Sequence, residues 1–431
     1  MRIPKFWRKG LLWGFLGLMV SLLISCQGSA PTASGPGGQP VEFWTMQLQP
    51  KYTPYFTQLI NRFSQDQGGK EVKWIDVPWE AMESKILTAV SANTAPDVVN
   101  LNPKFASQLA AKNAWLNFNE VLVPEVKAQY LPNIWQANTL EDTTFGLPWY
   151  LTTRITIYNR DLFQQAGLKN PPATYAELAD VARAIKEKTG KYAFFITFSP
   201  SDSAEVLESL VQMGVKLVDD QGQAAFNSPA GKAAFQYWVD LYQQGLLPPE
   251  VLTQGHRYAV ELYQAGSTAV LASGAEFLAS IETNAPSIAK VSAAAPQITG
   301  VTQQTNVAVM NLVIPRNSKN QEMAVKFAQF VTNADNQLVF AQEGNVLPSN
   351  IKAVEQYIKD LEQDSDRSTL AQARQVSARQ LKNATVLIPP MKNLNLLQKA
   401  IYENLGAAML KQKSVDQALQ DAAQAWNAAN S

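Results

Sequence analysis

The stretch Gly146-Leu147-Pro148-Trp149-Tyr150-Leu151-Thr152-Thr153-Arg154 runs directly into the strand-like Ile155-Thr156-Ile157-Tyr158. Two large aromatic residues follow a proline, and a polar Thr-Thr-Arg leads into the next apolar alternation. A buried strand seldom opens this way, because proline cannot donate to a sheet ladder. A plain surface loop seldom carries so much apolar ring area. The stretch therefore reads as a place where two flat, polar-tipped side chains stand beside the end of one structural unit and the start of another.

Upstream of it the pattern alternates between strand and helix. Val41 to Thr45 has period-two hydrophobicity, and Tyr55, Phe56, Leu59, Ile60 and Phe63 keep a 3.6-residue period. Gly68-Gly69 ends that helix, Val72 to Val77 forms a second strand, and Met82, Ile86, Leu87 and Val90 mark a second helix over about 79–92. A short strand over 95–102 follows. The order β-α-β-α-β predicts a doubly wound α/β sheet, with ligand sites beyond the carboxyl ends of the strands. Trp44 and the pair Asn100 and Asn102 fall at such ends.

Downstream, Asn159-Arg160-Asp161 has the composition of a helix start, and Thr174-Tyr175-Ala176-Glu177 has that of a capping box. Ser228-Pro229 predicts a further N-terminus. Tyr192 to Phe198 and Val307 to Ile314 read as strands, and Ser414-Val415-Asp416-Gln417 opens a final helix with Leu419, Ala422 and Trp426 on its apolar face. No internal repeat is visible. The order of elements predicts an α/β protein with a helical C-terminal region.

Composition narrows the function. Of 431 residues, 46% are hydrophobic and 17% charged, which fits a globular chain rather than a disordered one. One cysteine, Cys26, and one histidine, His256, leave no intrachain disulfide and too few ligands for a Cys/His zinc site. His256 reads as a surface or helix-start residue. The 36 basic and 36 acidic residues balance. Removing Arg2, Lys5, Arg8 and Lys9 with an N-terminal signal leaves 32 basic against 36 acidic, with no basic patch for nucleic acid.

That signal is expected over residues 1–25. Basic residues precede an apolar run from Leu11 to Ile24, too short for a confident membrane span. It ends in Leu23-Ile24-Ser25-Cys26, which resembles the bacterial lipobox. The resemblance implies cleavage before Cys26 and lipidation of it. Residues 26–40, rich in Gly, Ser and Pro, read as a flexible tether. The expected arrangement is a lipid anchor, a leash and a body facing the periplasm or the outer face of the cytoplasmic membrane.

Several motifs together resemble a known family. Pro96-Asp97-Val98-Val99, Gly146 to Tyr150, Tyr158 to Phe163, Ala166-Gly167-Leu168, Pro171 to Leu178 and the final Ala418-Leu419 with Trp426-Asn427 occur in the order seen in family 1 extracellular solute-binding proteins. These are the carbohydrate-type receptors of ABC importers, relatives of the maltose-binding protein. The resemblance covers about residues 41–430. It implies a two-lobed periplasmic-binding-protein fold of type II with a hinge between the lobes. Lobe one is expected over 41–151 plus about 294–314, and lobe two over 152–293 plus 315–431. The quoted stretch then lies at the first crossover.

The implied ligand is a sugar or polyol, and the implied partners are the transmembrane subunits of a permease, with the receptor itself a monomer that needs no cofactor or metal. A pyranose has an apolar C–H face that suits an aromatic ring, and a hydroxyl rim that suits amides and carboxylates. Trp149 and Tyr150 are expected at the cleft wall, with core packing as the rival. Trp44, Asn100 and Asn102 divide between cleft and interior. Phe198 and Ser201, with Ser199, are candidates from lobe two. Asp97 reads as a structural cap, and Arg154 as a ligand contact or a hinge ion pair.

Two departures from the family pattern stand out. Thr152 occupies a position where many relatives carry an aspartate. Gly274-Ala275-Glu276-Phe277 stands where many carry Gly-x-Trp, so that Glu276 and Phe277 replace a stacking tryptophan. Two other ligands stay open: a glycerol phosphate, which needs cleft cations, and a polyamine, which needs cleft carboxylates. An anchored glycoside hydrolase is the remaining alternative; its two carboxylates would have to come from pairs such as Glu141-Asp142 or Glu80 and Glu83, neither in a motif.

Overall fold

A chain that must cross between two cores shows it in its strands. In the computed structural model, which describes residues 39–430, the strands are β1 (Val41–Met46), β2 (Val72–Val77), β3 (Val98–Leu101), β4 (Thr139–Leu140), β5 (Thr143–Thr144), β6 (Leu147–Thr153), β7 (Ile155–Asn159), β8 (Val270–Ser273), β9 (Ser292–Ala295), β10 (Thr305–Val313), β11 (Leu347–Pro348) and β12 (Ala384–Thr385). The expected signal over 1–25, the lipidated Cys26 and all but the end of the 26–40 tether lie outside the described residues.

Lobe one is built on the sheet β11-β6-β10-β3-β1-β2, with β12 added beside β10. β1 runs parallel to β2 and β3, whereas β10 runs antiparallel to β3 and β6. The parallel portion is the β-α-β-α-β run of the sequence. β1 is buried on both faces: Val41 and Phe43 enter the core shared with Phe56, Phe63, Trp149 and Phe327, while Trp44 and Met46 enter a second cluster with Met82, Ile86, Val99 and Trp115. Period-two alternation thus separates two apolar faces, as in a sheet covered by helices on both sides. Asp97 ties the start of β3 to its surroundings by accepting hydrogen bonds from Glu42 N (2.9 Å), Asn320 Nδ2 (3.1 Å) and Ser318 Oγ, a structural role as expected.

Lobe two holds the antiparallel sheet β8-β7-β9 and a large helical core. Its helices Tyr175–Thr189 and Pro229–Gln243 begin at the anticipated caps: Thr174 Oγ1 accepts from Glu177 N (3.2 Å) and Ser228 Oγ from Gly231 N (3.2 Å). Asn159 and Ser414 cap the helices Arg160–Gln165 and Val415–Ala429 in the same way. Tyr192 to Phe198 does not form the expected strand. The chain makes an isolated bridge between Tyr192 and Thr268 and accepts at Tyr192 O and Ala193 O from Ala269 N and Val270 N, then turns over the core, where Phe198 N donates to Val251 O.

The boundary drawn at residue 315 is corrected by packing. Helices Gln321–Val331, Ala334–Gly344 and Ile351–Gln363 place Phe327, Phe340, Tyr357 and Leu361 in the core of lobe one, and β11 pairs with β6 through Leu347 and Leu151. The chain first returns to lobe two at the helix Thr369–Leu381. It then runs through β12 on the lobe-one sheet into the helices Leu394–Met409 and Val415–Ala429.

Trp149 belongs to the lobe-one core rather than to a cleft wall. It is fully buried, stacks on Phe340 (centroids 4.8 Å, 23°) and meets Phe56 and Phe43 edge-on. The β6–β10 ladder slips opposite it, with Tyr150 paired to Met310 and Pro148 to Asn311. Trp149→Ala is expected to lower the unfolding free energy by about 3–5 kcal/mol, as for other buried aromatics cut to alanine. Denaturant unfolding should also show a clearly smaller loss for Trp149→Phe.

Candidate functional site

The carboxyl ends of β1 and β2 are held by one carboxylate. Asp76 accepts from Thr45 Oγ1 (2.6 Å), Leu48 N (2.9 Å) and Gln49 N (2.9 Å), and Thr45 Oγ1 accepts from Trp74 Nε1 (2.7 Å). This fixes the loop that carries Lys51 and Tyr52, with the Lys51 ammonium 4.9 Å from the Tyr52 ring centre. Tyr150, next in β6 after the buried Trp149, is half-buried and packs against both lobe-one clusters, with its ring 5.3 Å from that of Phe340. Its hydroxyl has no hydrogen-bond partner among the described residues. Burial, with the nearby Tyr52, Glu276 and Asp76, pushes its pKa far above the usual tyrosine range.

Glu276 reaches this place from the other lobe. It is the first residue of the helix Glu276–Asn284, half-buried, and no cation pairs with it among the described residues. Burial raises its carboxyl to about 7, against the pull of its own backbone N–H and of His256, Arg154 and Lys51. The side chain folds back over Gly274, where a Cβ would stand 2.0 Å from Glu276 Oε2. A side chain at 274 would displace the flexible carboxylate end of Glu276 from this position. Phe277 lies beside it, half-buried, with its ring 6.0 Å from that of His256.

Beneath Glu276 lies a charged layer. Arg154 donates to Glu205 Oε2 (3.0 Å) and Ala272 O (3.1 Å), and its other terminal nitrogen is 3.5 Å from Glu208 Oε2. Glu205 also accepts from Thr197 N (2.9 Å) and lies 3.6 Å from His256 Nδ1, while His256 Nε2 is 3.0 Å from Ser273 Oγ. Burial pushes the Glu205 carboxyl up, but the His256 contact, the Arg154 charge and the Thr197 amide outweigh it and hold the group at about 2. Glu208 is shifted upward by burial in spite of Arg154. Of the two roles open to Arg154, its contacts are those of a hinge ion pair.

The lobes also meet at the cleft edges. Arg257 of lobe two lies 3.7 Å from Glu80 of lobe one, and Lys392 of lobe two 2.6 Å from Glu141. Both pairs are exposed. They engage two of the carboxylates that a hydrolase reading would have needed.

The structure thus brings Tyr150, Glu276 and Phe277 together and leaves Thr152 half-buried two residues along β6. It removes other candidates. Trp44 is buried in the second lobe-one cluster, with its Nε1 bonded to Glu42 Oε1 (2.7 Å) and Lys85 over its ring (4.3 Å). Asn100 is wholly buried and donates to Asn311 O (3.3 Å). Asn102 caps the helix Pro103–Ala110 by accepting from Phe105 N (2.9 Å). Phe198 lies in the lobe-two core against Trp238 and Tyr402. Ser201 is exposed on the loop of lobe two and 3.3 Å from Ser199 Oγ. His256 starts the helix His256–Gln264, as expected, but its contacts with Glu205 and Ser273, like the placing of Tyr52 and Asp76, come from residues far away in the chain and were not legible in the sequence.

A family model for bacterial extracellular solute-binding proteins matches residues 49–338, and the chain belongs to that family. Its fold is the type II periplasmic-binding-protein fold. A putative oligosaccharide periplasmic-binding protein from Synechococcus sp. MITs9220, solved alone and in complex with zinc, is 46% identical. The zinc complex covers 90% of this chain and 98% of the other, with a TM-score of 0.86. The mannitol-binding protein of Pseudomonas aeruginosa is 24% identical over 68% of this chain and 69% of its own. The diacetylchitobiose-binding protein of Streptomyces coelicolor is 23% identical over 80% and 82%. Among the described residues of this chain, no group of three or more His, Cys, Asp or Glu is placed to hold a metal, and no helix is long and apolar enough to cross a membrane.

The raised carboxyl of Glu276 predicts a pH signature. Below about 4.5 the group is protonated in both folded and unfolded chains, and its contribution to stability is fully present. As pH rises from there through about 7, the unfolded chain ionises first and stability falls. Glu276→Gln removes this dependence. Its melting temperature should match the parent near pH 4.5 and exceed it increasingly up to pH 8, by an amount equivalent to about 1–3 kcal/mol.

Proposed function

We propose that the chain is the solute receptor of an ABC importer and that it clamps a sugar or polyol between its lobes. The reading rests on one observation. The Tyr150 hydroxyl of lobe one and the Glu276 carboxyl of lobe two lie within electrostatic reach, and neither has a side-chain partner of its own among the described residues. A hydroxyl-bearing guest satisfies both: the carboxylate accepts, and the phenol donates or accepts. Leaving such groups unpaired in a closed site costs about 1–3 kcal/mol each, which favours opening until a guest arrives. Phe277 supplies a ring for a C–H face, and Thr152 a further hydroxyl. Ligand shifts the lobes toward closure by binding the closed form better.

The names of the relatives agree with this class of ligand. Lipidation of Cys26, release of the 1–25 segment and delivery to separate transmembrane permease subunits complete the proposed cycle, with the receptor acting as a monomer and not as an enzyme. A second reading, a polyamine or another ammonium-bearing solute, draws on Glu276 having no ion pair among the described residues, although His256, Arg154 and Lys51 lie near enough to act on its charge. A glycerol phosphate has less support, because Arg154 is engaged by Glu205 and Glu208 and Lys51 sits on Tyr52.

A thermal-shift panel of mannitol, chitobiose, maltose, glycerol 3-phosphate and spermidine tests the proposal. A sugar or polyol at 100 times its dissociation constant should stabilise the protein by about 2.7 kcal/mol. Tyr150→Phe and Glu276→Gln should each weaken that ligand by about five- to fifty-fold, the range for a lost hydrogen bond to a charged or buried group. Stabilisation by spermidine alone selects the second reading. Stabilisation by glycerol 3-phosphate alone, or affinity unchanged in both variants, overturns the first.

A further inference from the structure

The segments that join the lobes include the β6–β7 turn at Arg154, residues 296–304 between β9 and β10, the helix Thr369–Leu381, and residues 386–393 between β12 and the helix Leu394–Met409. The helix packs into both cores, Ala373 with lobe two and Ala378 and Leu381 with lobe one. Its inner face is bonded to the first two of these segments. Ser377 Oγ lies 2.7 Å from Thr153 Oγ1. Gln380 reaches both crossovers with one amide: Oε1 accepts from Gln297 N (2.6 Å), and Nε2 donates to Arg154 O (3.2 Å). The chain of bonds continues from Gln297 Oε1, which accepts from Asn306 N (2.8 Å), to Asn306 Oδ1, which accepts from Leu387 N (3.1 Å).

We propose that Gln380 is the clamp of the hinge, a positioning residue that couples the two crossovers so that the lobes turn as one joint. Lobe rotation must change backbone angles near Arg154 and near Gln297, because elsewhere the strands are locked in their sheets. Each crossover presents a backbone group away from bulk water that needs a partner, at Arg154, half-buried, and at Gln297, buried. A single planar amide serves a donor on one crossover and an acceptor on the other. Neither segment can then twist without carrying the other or breaking a bond. Glutamine alone among side chains has the donor, the acceptor and the length at this position: glutamate lacks the donor and asparagine is shorter by one methylene.

The clamp lies outside the cleft and is independent of the identity of the solute. It is tested on the full chain in a Cys26→Ser background, with spin labels at Ser84→Cys and Glu261→Cys. Both sites are exposed, on the helices Trp79–Ser91 and His256–Gln264 that face each other across the Glu80–Arg257 contact. Pulsed electron resonance gives the inter-lobe distance distribution without added ligand. Gln380→Met, which loses both bonds, should broaden it and raise the share of longer distances relative to the parent by about five-fold or more, five-fold being the effect of losing one typical hydrogen bond. Gln380→Glu, which keeps the acceptor for Gln297 and loses the donor to Arg154, should shift it in the same direction. Gln375→Ala, whose amide bonds only to Leu361 O (3.2 Å), should leave it unchanged. Should Gln380→Met fail to fold, Gln380→Glu decides. A lower melting temperature with distance distributions that superimpose on the parent overturns the clamp, as does an equal shift in Gln375→Ala.

Discussion

The passage of the chain from β6 to β7 through Arg154 constrains the rest of the molecule. Three residues earlier, Leu151 is sealed in the core of lobe one, and one residue later Ile155 is sealed in that of lobe two. The residue between them must leave one interior and enter another. Here it is a charged one, and a charge in such a place must be paired. Glu205 and Glu208 come from one helix to meet it, and the carbonyl of Ala272 from β8. That pairing binds the loop before the helix Glu205–Gln212, the end of β8 and the start of the helix at His256 to the hinge.

The candidate site inherits its rigidity from this arrangement. His256 joins Glu205 to Ser273, and Ser273 lies just before the Gly274 turn over which Glu276 folds. On the opposite lobe Asp76 serves the same purpose for the loop that carries Tyr52. The groups offered to a solute are thus few and are held by others that take no part in contact.

Aromatic residues, which first suggest a sugar cleft, are used chiefly as mortar. Trp149, Phe340, Phe56 and Phe43 form one contiguous stack within lobe one, and Phe198, Trp238 and Tyr402 another within lobe two. The ring-to-cleft argument survives only at Tyr150 and Phe277, with Tyr52 added by the tertiary structure.

What the sequence determined by itself is local. Period-two and 3.6-residue hydrophobicity placed β1 to β3, β10 and the intervening helices, and short-range side-chain bonding placed the caps at Asn159, Thr174, Ser228 and Ser414, because these signals act within a few residues. The motif order also named the family. Only the tertiary structure decided which member of an adjacent pair faces inward, Trp149 or Tyr150, since strand parity there depends on a ladder slip against β10. It alone moved residues 321–363 into lobe one, through a β11–β6 pairing between positions some two hundred apart. It alone turned Asn102 into a cap and Phe198 into core, and brought His256, Glu205, Gln380 and Gln297 to their partners. The reason is physical: the fate of a polar or aromatic side chain at a strand end rests on which distant surface arrives to bury it, and no nearby residue records that.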